Sequence, residues 1–127
     1  MKSKILIIDD DAEFTEAVTS VLQSAGYDVI SAPDGQKGFE KAKEEKPNLM
    51  LLDVMMTYDS EGFDLAKKFK DDKDTQKIPV IIITGIQRAK SLPFEIEPND
   101  DWLPVKRILE KPVKPELLLS VIKDALK

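Results

Sequence analysis

The chain has 127 residues, 24 acidic and 19 basic, a formal charge of −5, and neither cysteine nor histidine. Disulfides, thiolate zinc sites and histidine bases or ligands are thereby excluded, leaving oxygen donors of the kind that suit magnesium, calcium or manganese. The negative balance argues against direct binding of nucleic acid or anionic lipid. No apolar stretch approaches the ~20 residues of a membrane-spanning helix, so a soluble, cytoplasmic chain forming one domain over residues 1–127 is expected.

Ile5-Leu6-Ile7-Ile8 is an apolar run of strand length, closed by Asp9-Asp10-Asp11. From Ala12 to Ser24, the residues Phe14, Ala17, Val18, Val21 and Leu22 recur at three- and four-residue steps. This spacing predicts a helix with Asp11 as its cap and Gly26 as a left-handed stop. A second strand covers Asp28–Ser31, and a second helix, Gly35–Glu45, turns Phe39 and Ala42 inward and is stopped by Pro47. Leu49–Leu52 forms a third strand ended by Asp53. A third helix runs from Gly62 to about Asp72, with Phe63, Leu65, Ala66 and Phe69 as its buried set.

Val80–Ile83 is a fourth strand followed by Thr84-Gly85. Pro93, Pro98 and Pro104 then interrupt helical hydrogen bonding, so the fourth helix is expected to be short or irregular. Short turns are predicted around Gln87–Ser91 and Asn99–Leu103, with Phe94 and Trp102 pinning the segment to the body. Ile108-Leu109 marks a fifth strand, ended by Glu110-Lys111-Pro112, and a last helix over Pro115–Ala125 carries Leu118, Leu119, Val121 and Ile122. Strands alternating with helices predict an α/β protein whose parallel sheet is covered on both faces.

In such a sheet, ligands bind outside the carboxyl ends of the strands. If the runs ending in Asp9-Asp10 and in Asp53 are neighbours, three carboxylates meet at one edge, and their repulsion calls for a cation, most economically magnesium. Helix capping accounts for one of Asp9 to Asp11 but not for all three, and Asp53 on its own is an ordinary turn residue. Thr84 alone is a good strand residue, whereas Gly85 lets a backbone N–H approach a phosphate closely. Lys111 alone reads as a surface lysine, yet beside acids its ammonium can pair with a carboxylate in one state and a phosphoryl group in another.

With Ile7-Ile8-Asp9-Asp10-Asp11, Leu51-Leu52-Asp53-Val54-Met55-Met56, Ile78-Pro79-Val80-Ile81-Ile82-Ile83-Thr84-Gly85 and Leu109-Glu110-Lys111-Pro112-Val113 in this order, the chain resembles the receiver domain of two-component response regulators. The resemblance covers essentially the whole chain, either stand-alone or excised from a longer protein. It implies a flavodoxin-like fold, a five-stranded parallel sheet in the order 2-1-3-4-5 flanked by helices. It also implies a phosphoryl switch. Asp53 is then the phosphoacceptor for a sensor histidine kinase or phosphotransfer protein, and the Mg2+ site comprises Asp10, Asp53 and the Met55 main-chain carbonyl, with Asp9 acting mainly through water. Thr84, Lys111 and the Gly85 and Met55 backbone N–H groups would receive the phosphoryl group, and the Lys111-Pro112 bond is implied to be cis.

Three departures stand out. The family's proline after the phosphoacceptor is replaced by Thr57, and Gly62 comes one residue late, so the loop Thr57–Glu61 is expected to be rearranged. The aromatic switch position holds Ile108, and the Thr84–Lys111 segment is long and proline-broken. The family's usual dimer surface is therefore not carried over, and a monomer is expected before phosphorylation. Met55 and Ile86 are apolar where the family tunes acyl-phosphate hydrolysis, which predicts a long-lived phosphorylated state.

Two other functions compete. A receiver-like protein-interaction module working without phosphorylation accommodates the altered loop and Ile108, but leaves the charged constellation without a purpose. A magnesium phosphohydrolase of the haloacid-dehalogenase type needs a second aspartate two residues after its nucleophile, where this chain has Met55. With no general acid there, turnover of an external substrate is not expected. Dinucleotide or nucleotide binding is poorer still, since no glycine-rich phosphate loop follows the first strand.

Overall fold

The all-apolar runs become the centre of a parallel sheet. In this computed structural model, which describes residues 3–53, 61–85, 105–111 and 113–126, strands and helices alternate. They are β1 (Lys4–Ile8), α1 (Ala12–Ser24), β2 (Asp28–Ala32), α2 (Gly35–Glu45), β3 (Leu49–Asp53), α3 (Glu61–Asp71), β4 (Val80–Gly85), β5 (Val105–Lys111) and α4 (Pro115–Ala125). The sheet order is β2-β1-β3-β4-β5, with every pairing parallel.

The period-two geometry of a strand sorts each apolar run into two cores. Leu6, Ile8, Met50, Leu52, Val80 and Ile82 point to one face and pack with Ala42 of α2 and with Leu65 and Phe69 of α3. Ile5, Ile7, Leu49, Leu51, Ile81 and Ile83 point to the other, against Val18 and Leu22 of α1 and Leu118, Val121 and Ile122 of α4. Both faces of β1 and β3 are therefore dry, which is why neither strand shows polar alternation.

Helix ends follow their local chemistry. The Asp11 carboxylate accepts from the Phe14 N–H at 3.1 Å, and Asp34 caps α2 through the Lys37 N–H at 2.9 Å. Gly26, at φ 95°, takes the left-handed conformation expected of it after α1. The stop of α2 differs in detail, because Lys46 itself adopts the left-handed conformation, at φ 49°, one residue before Pro47. The buried Thr75 hydroxyl donates to the Phe69 carbonyl at 2.6 Å, giving the C-terminal end of α3 a partner.

Several boundaries move from the sequence expectation. Ala17, assigned to the inward stripe of α1, is exposed, because Phe14, Val18 and Leu22 follow the core-facing line and Ala17 falls at its rim. Helix α3 starts at Glu61 rather than Gly62. Strand β4 continues through Thr84 and Gly85, and β5 spans Val105–Lys111 rather than two residues. The loop from Thr57, the turns around Gln87–Ser91 and Asn99–Leu103, the expected fourth helix, Phe94, Trp102, Ile86 and Pro112 lie outside the described residues.

Candidate phosphoryl and metal site

Register brings the acids together. Ile8 pairs with Leu52 across β1 and β3, so Asp9, just past the end of β1, and Asp53, the last residue of β3, stand at the same level. This edge is the switch point of the topology, since the connection from β1 leads to β2 on one side while β3 opens the other half of the sheet. Carboxylate oxygens of Asp9, Asp10 and Asp53 lie within 4.8 Å of one another, with Asp9 and Asp53 buried and Asp10 exposed. Three hard anionic donors at that spacing suit a divalent cation with a preference for oxygen.

Asp9 is held from two sides. Its backbone N–H donates to the Ala32 carbonyl at 3.1 Å, extending the β1–β2 ladder by one residue. Its carboxylate Oδ1 accepts from the Asp11 N–H at 2.8 Å, an aspartate turn that also starts α1. The three aspartates thus divide their tasks: Asp11 caps the helix with its side chain and orients Asp9 with its backbone, while Asp9 and Asp10 face the site. The orienting role of Asp11 escaped the sequence reading, although Asp followed two residues later by a helix cap is its signature. An open cleft of about 500 Å³ between α1 and the end of β2, lined by Asp9, Asp10, Thr15, Thr19, Ser31 and Pro33, borders this edge.

On the other side of Asp53 the strands continue the row. Asp53 pairs with Ile83, and Thr84 follows directly. Between β4 and β5 the register slips once, from Val80↔Val105 to Ile81↔Arg107, leaving Lys106 as the extra residue. Without that bulge Gly85 would stand opposite Glu110. With it, Thr84 pairs with Glu110 and Gly85 with Lys111. Asp9, Asp53, Thr84, Gly85 and Lys111 therefore occupy the carboxyl ends of four strands. Met55 lies outside the described residues.

Sheet order and acidic edge define a doubly wound α/β protein with its site at the switch point. Residues 5–123 match the response regulator receiver domain, and the chain belongs to that family. It is 32% identical over 127 residues to protein PilH of Pseudomonas aeruginosa, covering 98% of each chain. It is 33% identical over 125 residues to the phosphate regulon transcriptional regulatory protein PhoB of the same organism, covering 97% of this chain and 51% of PhoB. Of several other curated relatives it spans between a third and about half the length. A crystal structure of a CheY-like receiver domain protein from Methanospirillum hungatei superposes with a TM-score of 0.81 at 29% identity, covering 99% of this chain and 94% of that one.

Proposed function

We propose that residues 1–127 form one receiver domain acting as a phosphoacceptor signalling switch, in which Asp53 takes a phosphoryl group from a sensor histidine kinase or phosphotransfer protein. The observation that carries this reading is the convergence of Asp9, Asp10 and Asp53, with carboxylate oxygens within 4.8 Å of one another at the switch point. In the transfer, an Asp53 oxygen forms the new bond to phosphorus as the phosphorus–nitrogen bond of the donor phosphohistidine breaks. The imidazole leaves with the electron pair and takes up a proton.

Asp9, Asp10 and Asp53, with the Met55 main-chain carbonyl, would hold Mg2+. The bound ion would supply neutralising charge to the transferring group. Thr84 and Lys111 would then contact the phosphoryl oxygens, together with the Gly85 backbone N–H, and the altered surface would change the affinity for an output protein. The chain turns over no external substrate in this reading, because the position two residues after Asp53 holds Met55 rather than an acid/base aspartate, and the chain has no histidine. A cytoplasmic placement, a monomeric unphosphorylated state and no direct role for nucleic acid or membrane belong to the same proposal. Among the described residues, no helix is long and apolar enough to cross a membrane.

Amide NMR of the chain and of Asp53→Ala, with and without magnesium and beryllofluoride, tests the reading. The expected result is a set of Asp53-dependent shifts that reaches β5 and α4. Ile108, in place of the family's aromatic, favours one alternative, a receiver-like interaction module independent of phosphorylation. Spectra of the unsubstituted chain that do not respond to magnesium and beryllofluoride would select that alternative.

A further inference from the structure

Gly38 lies inside α2, buried, with ordinary helical backbone. Glycine is unfavourable there relative to alanine, and no turn or left-handed conformation calls for it. Packing does. A Cβ at position 38 would lie 2.6 Å from Cδ1, 2.7 Å from Cγ1 and 3.0 Å from Cγ2 of Ile8. All three belong to one side chain, and two of them are bonded to its Cβ, so rotation of the outer methyl does not clear the overlap.

Ile8 has no room to retreat. It is fully buried and walled by the apolar cluster that includes Leu6, Ala42, Leu52 and Leu65. Moving the nearest contact from 2.6 Å to the ordinary 3.4 Å requires 0.8 Å of displacement, either of α2 or of the end of β1. The residue after Ile8 is Asp9, tied to Ala32 by its backbone and to the Asp11 N–H by its carboxylate. Magnesium accepts little distortion of its roughly 2.1 Å octahedral shell, so a displacement of this size at Asp9, which acts on the ion mainly through water, is passed to that shell.

We propose that Gly38 is a positioning residue of the acidic site: its bare Cα lets Ile8 fill the α2–β1 interface and thereby sets the end of β1, with Asp9, at the level of Asp53. This deepens the phosphoryl-switch reading and rests on it for the identity of the ion.

The test is a double-mutant cycle of Gly38→Ala and Ile8→Ala, with Glu40→Gly, an exposed position on α2, as a control that weakens the helix without meeting Ile8. Gly38→Ala should lower Tm in the natural background and raise it when residue 8 is alanine, since the overlap is then gone and the helix preference remains. In the natural background it should also shift the Asp11 amide resonance, which reports the Asp9 carboxylate without any metal, and weaken magnesium binding about tenfold. Glu40→Gly should lower Tm while leaving the Asp11 amide and magnesium affinity as they were. If Gly38→Ala alone fails to fold, its addition to Ile8→Ala still has a sign, and a further loss of Tm there overturns the pairing. An Asp11 amide and magnesium affinity unchanged by Gly38→Ala overturn the positioning role. No magnesium binding by the unsubstituted chain defeats the phosphoryl-switch reading instead, leaving the Tm signs and the Asp11 amide to judge Gly38.

Discussion

Replacing Asp53 with asparagine should remove most of the stability that magnesium confers. At 4.8 Å and an effective dielectric constant of about 20, each pair of carboxylates repels by about 3 kcal/mol. Three carboxylates make three such pairs, and the Asp53→Asn protein retains only Asp9 with Asp10. That remaining pair is weaker than Asp9 with Asp53, since Asp10 is exposed and solvent screens it. For the unsubstituted chain, a hundredfold excess of magnesium over its Kd should add about 2.7 kcal/mol. In a chain of this size that is a rise in Tm of about 10 °C. The asparagine variant should gain about 1 kcal/mol or less. Thermal melts followed by circular dichroism, in magnesium and in chelator at matched ionic strength, separate ligation from general screening. Equal gains in the two proteins, or no gain in either, would refute the reasoning.

Three further outcomes follow from groups around the site and the α2–α3 layer. Thr75→Val leaves the Phe69 carbonyl without the hydroxyl it accepts from at 2.6 Å, and chemical denaturation should show a loss of about 1–3 kcal/mol. Asp11→Ala removes the cap on the Phe14 N–H and should cost about 1 kcal/mol, while magnesium affinity by calorimetry stays unchanged because the Asp11 backbone N–H still orients Asp9. The Asp74 N–H at 2.8 Å, and then Lys43 at 3.2 Å, hold the Asp72 carboxyl below the ordinary aspartate value. A lowered folded-state pKa stabilises above the unfolded value and loses that contribution as pH falls through the folded one, so acid titration of stability should be shallower for Asp72→Asn over that interval.

The legible parts of this fold were those in which one physical demand dominates. Ile5–Ile8 and Leu49–Leu52 are buried on both faces, so their sequences contain nothing but apolar residues and announce central strands. The edge strand β5 extends well beyond its apolar pair Ile108-Leu109 because an edge admits charged residues, and Lys106, Arg107, Glu110 and Lys111 mask its extent. The bulge at Lys106 has no signature in composition, yet it decides that Lys111 rather than Glu110 faces Gly85 in the ladder. The acids of the site were legible because each ends an apolar run. Gly38 was not, since its reason for being glycine is the side chain of Ile8, thirty residues away in sequence. The roles of Thr84 and Lys111 came from the family resemblance, and only their backbone positions at the strand ends stand beside it.

The central claim is that Asp53 accepts a phosphoryl group, and intact-protein mass measurement after incubation with acetyl phosphate tests it most directly. The unsubstituted chain with magnesium should gain the mass of one phosphoryl group, in a form cleaved by hydroxylamine as an acyl phosphate is. The gain should vanish in chelator and in Asp53→Asn. An unmodified chain in magnesium, or the same gain in Asp53→Asn, would contradict the account.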